Sequence, residues 1–212
     1  MRVEIRKLAP HLWWWTAPHP DWTPDDFRGG RGWQQEVSSY ALVADDALVL
    51  FDPLVPQDDE GAFWSALDAD VEQHGAPAIL ITVFWHARSA PEILERYEGA
   101  SVWAHEPSAE EVTRRVPVTK TFMDGATLPG GVEAIAMHHM REAAFWIPAH
   151  GALLFGDSLL GYEDGVALCP ESWLKEGETQ SEQRASVERA LDAKKPRWLL
   201  LTHGGPRQSP GS

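Results

Sequence analysis

Short apolar strand segments alternating with amphipathic helices along all 212 residues predict one mixed α/β (α+β) domain with helices covering sheet faces. Two further observations support it. No fixed-period repeat, low-complexity tract or domain boundary interrupts the chain before its Gly- and Pro-containing end, so the expected domain is residues 1–205 with a flexible tail over 206–212. Several of the apolar segments also stop abruptly in polar residues, as strands do when a site gathers at their carboxyl ends.

Taken in order, residues 1–16 read as one or two strands. Residues 17–37 hold three Pro, three Gly and two Trp (Trp22 and Trp33) without periodicity, which predicts a long loop of the kind that carries function. Residues 38–44 and 47–53 form an apolar hairpin. A helix follows over 58–73, with Phe63, Ala66, Leu67 and Val71 on one face. The run AILITVF (78–84) is a strand. Ser89 and Glu92 have the spacing of a capping box for a second helix, whose apolar face is Ala90, Ile93, Leu94 and Tyr97. A short strand over 101–104 and a small helix near 109–115 come next. Strands are expected over 131–138, 143–148, 151–156 and 197–202, and Thr179 with Glu182 caps a helix over 180–193.

Composition excludes several functions. Lys plus Arg number 18 against 32 Asp plus Glu, a net charge of −14, and the cationic clusters Arg28–Arg31, Arg114–Arg115 and Lys194–Lys195 are short and scattered, so nucleic acid is not an expected partner. The single cysteine, Cys169, excludes an internal disulfide framework and an all-thiolate zinc site. No apolar run is long enough for a membrane span, and the N-terminal Arg2, Glu4, Arg6 and Lys7 alternate with apolar residues instead of building a signal-peptide core. The expectation is a cytoplasmic protein with a small-molecule ligand or substrate. Tryptophan is abundant (11, three of them consecutive at 13–15), which reads first as strand packing and second as ligand stacking.

The chemistry-bearing residues sit at strand ends. AILITVF runs into Trp85, His86 and Arg88; GALLFG runs into Asp157 and Ser158; RWLLLT runs into His203; and GVEAIAM is closed by His138 and His139. Phe155–Leu159 reads like a serine-esterase GDSL block, but the Asp three residues before a C-terminal His is Leu200 here, so that dyad is absent. His19 and Asp21 in the long loop read as surface.

In the order and spacing of these pieces, residues 38–205 resemble the metallo-β-lactamase superfamily. The matching pieces are Leu48–Pro53, the strand ending at Thr82, His139, Leu154–Asp157 and Thr202–Gly204. The resemblance implies a four-layer αββα sandwich and a one- or two-metal hydrolase site. It also exposes a departure. Where the family has H-x-H-x-D-H after the strand threonine, this chain has Val83-Phe84-Trp85-His86-Ala87-Arg88, and where the family commonly has H-T-P-G it has His139-Met140-Arg141-Glu142. In direct register Val83 and Trp85 stand for two histidines of the first metal, and Ala87 and Arg88 for the Asp and His of the second. His139, Asp157 and His203 carry over as ligands.

Two outcomes follow. In the favoured one the metal is lost, Arg88 takes its place and pairs with Asp157, and Trp85, Arg88, Trp22 and Trp33 line a pocket for a small, partly apolar ligand in an inactive hydrolase relative. In the alternative, His139, Asp157 and His203 regroup, with His86 as a candidate fourth, around a single zinc ion that hydrolyses a small ester, thioester or amide; Asp157, His86 and Arg88 are then the candidate catalytic residues. A structural or partner-binding protein is the third reading.

Overall fold

The computed structural model describes residues 5–30 and 32–209; Arg2, Glu4, Arg31 and the last three residues of the expected tail lie outside them. The first sheet contains β1 (Arg6–Ala9), β2 (Leu12–Pro18), β3 (Glu36–Val43), β4 (Leu48–Phe51), β5 (Ala78–Ile81), β6 (Ser101–His105) and β7 (Lys120–Phe122), side by side in that order. Pairing is antiparallel from β1 to β4 and parallel from β4 to β7. Helices α1 (Glu60–His74), α2 (Ala90–Arg96) and α3 (Ala109–Thr113) connect the parallel strands.

The second sheet contains β8 (Thr127–Leu128), β9 (Val132–Ala136), β10 (Ala143–Ile147) and β11 (Ala152–Phe155). The chain then leaves it for a two-stranded ribbon of β12 (Leu159–Tyr162) and β13 (Gly165–Leu168). After helix α4 (Gln180–Lys194) it returns as β14 (Trp198–Leu201) and β15 (Gly205–Gln208). The final order is β15-β14-β11-β10-β9-β8, with β11 and β14 parallel.

The strand alternation builds the layers. On β4, Val49 and Phe51 face one way and Leu48 and Leu50 the other; on β11, Ala152 and Leu154 alternate with Leu153 and Phe155. Val49, Phe51 and Leu80 meet Phe145, Leu154 and Leu200 between the sheets. Leu48, Leu50, Ile79 and Ile81 pack on Phe63, Leu67 and Ile93 of α1 and α2. Leu153, Phe155, Leu199 and Leu201 pack on Val187 and Ala190 of α4. This is the αββα sandwich expected. Consecutive Trp13, Trp14 and Trp15 on β2 obey the same alternation, Trp13 and Trp15 joining the helix-side core and Trp14 the inter-sheet one. Among the described residues no helix is long and apolar enough to cross a membrane.

Three local expectations are corrected. Ser89 makes no side-chain cap; its hydroxyl accepts the Val55 N–H at 3.0 Å and ties α2 back to the β4 end. Residues 205–208, expected in part as flexible tail, are strand β15, paired with β14 from Leu201↔Gly205 to Trp198↔Gln208. The 17–37 stretch is not structureless. β2 and β3 extend into it, Ala17 opposite Val37 and Pro18 opposite Glu36, and Tyr162 Oη holds its middle by accepting the Gly32 N–H at 3.2 Å and donating to Gly32 O at 2.9 Å. The α4 cap is as expected: Thr179 Oγ1 accepts from Glu182 N at 3.2 Å.

Candidate metal centre

Four strands deliver the site. β4 runs out into Asp52, β5 into Thr82, β11 into Gly156 and Asp157 and β14 into Thr202 and His203, so the carboxyl ends of two parallel pairs, one in each sheet, open onto one place. Past Thr82 the chain makes a 3-10 turn over Phe84–Ala87, which turns His86 inward. Asp52 and Arg88 both have positive φ, 46° and 38°, so two non-glycine residues hold a sparsely populated backbone conformation beside the site.

Asp52 is fully buried and acts as the base plate. Its Oδ1 accepts the Thr82 N–H at 2.9 Å; its Oδ2 accepts the Thr82 hydroxyl at 2.5 Å and His86 Nδ1–H at 2.9 Å. Because a carboxylate only accepts, the hydrogen lies on His86 Nδ1, and the Nε2 of a neutral ring presents its lone pair outward. That Nε2 lies 3.3 Å from Asp157 Oδ1, and His203 Nε2 lies 3.2 Å from the same oxygen. Yet Asp157 Oδ1 is buried and accepts no hydrogen bond. The ligand atoms of His86, Asp157 and His203 all lie within 4.8 Å of one another. A buried carboxylate oxygen without a hydrogen bond, faced by two imidazole nitrogens, fits a cation in its donor chemistry: two nitrogens and one carboxylate oxygen are donor types that catalytic zinc sites use.

The electrostatics follow from burial. Burial alone would raise the Asp157 carboxyl; His86, His203 and the Trp85 N–H outweigh it and hold it well below the usual carboxylate range. Burial lowers His203 to about 4 against the pull of Asp157, so its ring is neutral at pH 7 and fit to ligate. Glu142 is fully buried under the Asp157 turn, where its Oε1 accepts from Gly156 N at 2.7 Å and its Oε2 from Ser158 N and Oγ, each at 2.7 Å. Burial and the Asp157 charge push Glu142 up to about 8 in spite of those bonds. Position 156 admits only glycine, since a Cβ there would collide with Thr82. Gly204 (φ +110°) likewise lets the chain after His203 pass against the Gly161 backbone.

No protein-family model and no curated protein matches the sequence. Solved structures do match. A metallo-β-lactamase from Pontibacter korlensis has 14% identity, a TM-score of 0.72, and coverage of 98% of this chain and 94% of that one. One from Hirschia baltica has 17% identity, a TM-score of 0.70, and 98% and 93% coverage. One from Pseudomonas aeruginosa, solved in its mono-zinc form, has 10% identity, a TM-score of 0.70, and 98% and 90% coverage. The fold is that of the metallo-β-lactamases.

Within this metallo-β-lactamase fold the residues expected at the site are redistributed. Asp157 and His203 come together, and their third partner is His86. His139 does not join them: it is fully buried at the start of a 3-10 turn, its Nδ1 3.0 Å from Glu178 Oε2 and its Nε2 without a partner. Arg88 does not pair with Asp157 directly. Its Nη1 donates to the carbonyl oxygens of Asp52 (3.0 Å) and Ser38 (3.3 Å), while Nε and Nη2 are buried without partners. The place expected for the Arg88 guanidinium on Asp157 is filled by Trp85, whose Nε1–H donates to Asp157 Oδ2 at 2.6 Å.

A cavity of about 760 Å³ opens over the centre, within the size range of small-molecule sites. Trp85, Arg88 and Trp33 line it. Trp22 does not; its Nε1–H donates to Trp33 O at 3.0 Å and braces the loop from behind. The sequence reading missed Trp173, 6.4 Å from the His203 ring, and His19, set aside as surface but edge-on to Trp33 at 5.0 Å on the cavity wall. Trp33 in turn sits edge-on to His203 at 5.5 Å. The signal available for His19 was its place in the long Trp- and Pro-containing segment over 17–37.

Proposed function

We propose that the protein is a metal-dependent hydrolase of small, partly apolar esters, thioesters or amides, with one zinc ion held by His86, Asp157 and His203. The observation that supports it is the buried Asp157 Oδ1, faced by two imidazole nitrogens and hydrogen-bonded to nothing. Zinc at such a set supplies Lewis-acid polarisation of a carbonyl and a lowered pKa for water. The chain's own residues do the rest. Asp52 fixes the His86 ring and its tautomer, as carboxylates behind ligating histidines do. Trp33, Trp85 and Trp173 give the cavity an apolar wall that excludes water from the substrate's body. His19 Nδ1 accepts the Asp21 N–H at 3.3 Å, which leaves hydrogen on Nε2 of the neutral ring as a donor for a substrate oxygen.

A second reading rests on Arg88, whose two buried, unpartnered N–H groups suit a metal-independent pocket for a carboxylate ligand. One experiment separates the two: a panel of small aryl and alkyl esters, thioesters and amides assayed with chelator-treated and zinc-reloaded protein. Turnover that chelation removes and zinc restores is the expected result. Turnover absent in both states, with carboxylate ligands bound equally well in each and weakened by Arg88→Ala, would overturn it in favour of the second reading.

A further inference from the structure

We propose that Trp85 restricts the centre to a single ion; the inference rests on the metal-centre reading above. An aspartate can bridge two ions by giving one carboxylate oxygen to each, and that mode needs both oxygens free. Here Asp157 Oδ1 faces His86 and His203, while Oδ2 is taken by the Trp85 Nε1–H at 2.6 Å. An indole N–H is a donor without a lone pair, so it satisfies Oδ2 and cannot itself ligate. The remaining surroundings agree. Val83, the other residue in register with a first-metal histidine, is fully buried and offers no donor atom. The Trp85 ring is held against Phe84 with centroids 4.3 Å apart, and the Phe84 ring is itself covered by Arg115 and Lys175 at 4.8 and 5.1 Å. Arg88, pinned by the carbonyls of Ser38 and Asp52, adds a buried positive charge that interacts with Asp157 and opposes a second dication on that carboxylate. Of the set that the sequence register assigns to a first ion, the only donors left are the shared Asp157 and His139, whose Nε2 is buried and unpartnered.

The proposal is that the indole takes the position an ion would hold on Oδ2, so a ligand side chain at 85 should restore that position. Full-length protein, stripped with chelator, is titrated with zinc alone by calorimetry, and the ion content of desalted protein is measured. The expected result is one ion per chain in the wild type and two in Trp85→His. Trp85→Cys provides a second route should the imidazole variant fail to fold, with cobalt in place of zinc to show a thiolate–metal charge-transfer band. A folded Trp85→His or Trp85→Cys that still holds one ion, or a wild type that holds two, overturns the role of Trp85. A wild type that holds none fails differently, since the metal centre itself is then absent and the restriction falls with it.

Discussion

Asp157→Ala is expected to abolish zinc binding, weakening it at least about a thousand-fold, or about 4 kcal/mol. It removes the one carboxylate of the three-residue set and leaves only the two imidazoles of His86 and His203. The same change leaves the Trp85 Nε1–H without its acceptor, which costs the metal-free protein about 1–3 kcal/mol of stability. The two effects are separable. Zinc titration reads the first and urea denaturation in chelator reads the second. A variant that binds zinc within ten-fold of the wild type would remove Asp157 from the centre.

The second large effect is a fall in stability with rising pH, governed by Glu142. Its carboxyl keeps a proton in the folded protein up to about 8, whereas in the unfolded chain it loses that proton near 4.5, so the folded state binds more protons between those values and stability falls as pH rises through them. His203 acts with the opposite sign over a lower window: lowered from 6.5 to about 4, it contributes stability that is present above 6.5 and lost as pH falls toward 4. The two slopes oppose each other most strongly from about 4.5 to 6.5, and above that the Glu142 slope is the larger. Metal-free protein is therefore expected to lose about 1 kcal/mol between pH 6.5 and 8 in urea denaturation, the Glu142 loss being partly offset by the upper end of the His203 titration. Glu142→Gln, which carries no titrating proton, is expected to be less stable throughout but flat across that interval. A wild-type profile that rises from pH 6.5 to 8 would contradict the protonated state of Glu142.

The fold was legible because its apolar segments are long enough to show their period: AILITVF, GALLFG and RWLLLT are unmistakable buried strands, and each ends in the polar residue that reaches the site. The strands β7, β8, β12, β13 and β15 escaped because they are two to four residues long, several of them mixing polar residues or glycine with apolar ones. Asp157 and His203 were legible as strand-end residues. His86 was legible only as a candidate fourth beside His139, because register counts positions and cannot see the 3-10 turn after Val83 or the positive φ at Arg88 that together turn His86 inward and Arg88 toward the carbonyls of Ser38 and Asp52. His139 occupies the expected place in the chain order, yet its ring faces Glu178, contributed by the loop before α4. Nor does a sequence reveal that the indole at 85 donates to Asp157, 72 positions away.

The most direct measurement is calorimetric zinc titration of chelator-treated wild type, His86→Ala and His139→Ala. One zinc per chain bound by the wild type, lost in His86→Ala and kept in His139→Ala, is the result expected of a centre built from His86, Asp157 and His203. No binding heat at micromolar zinc in the wild type, or binding that survives His86→Ala and disappears in His139→Ala, would contradict it.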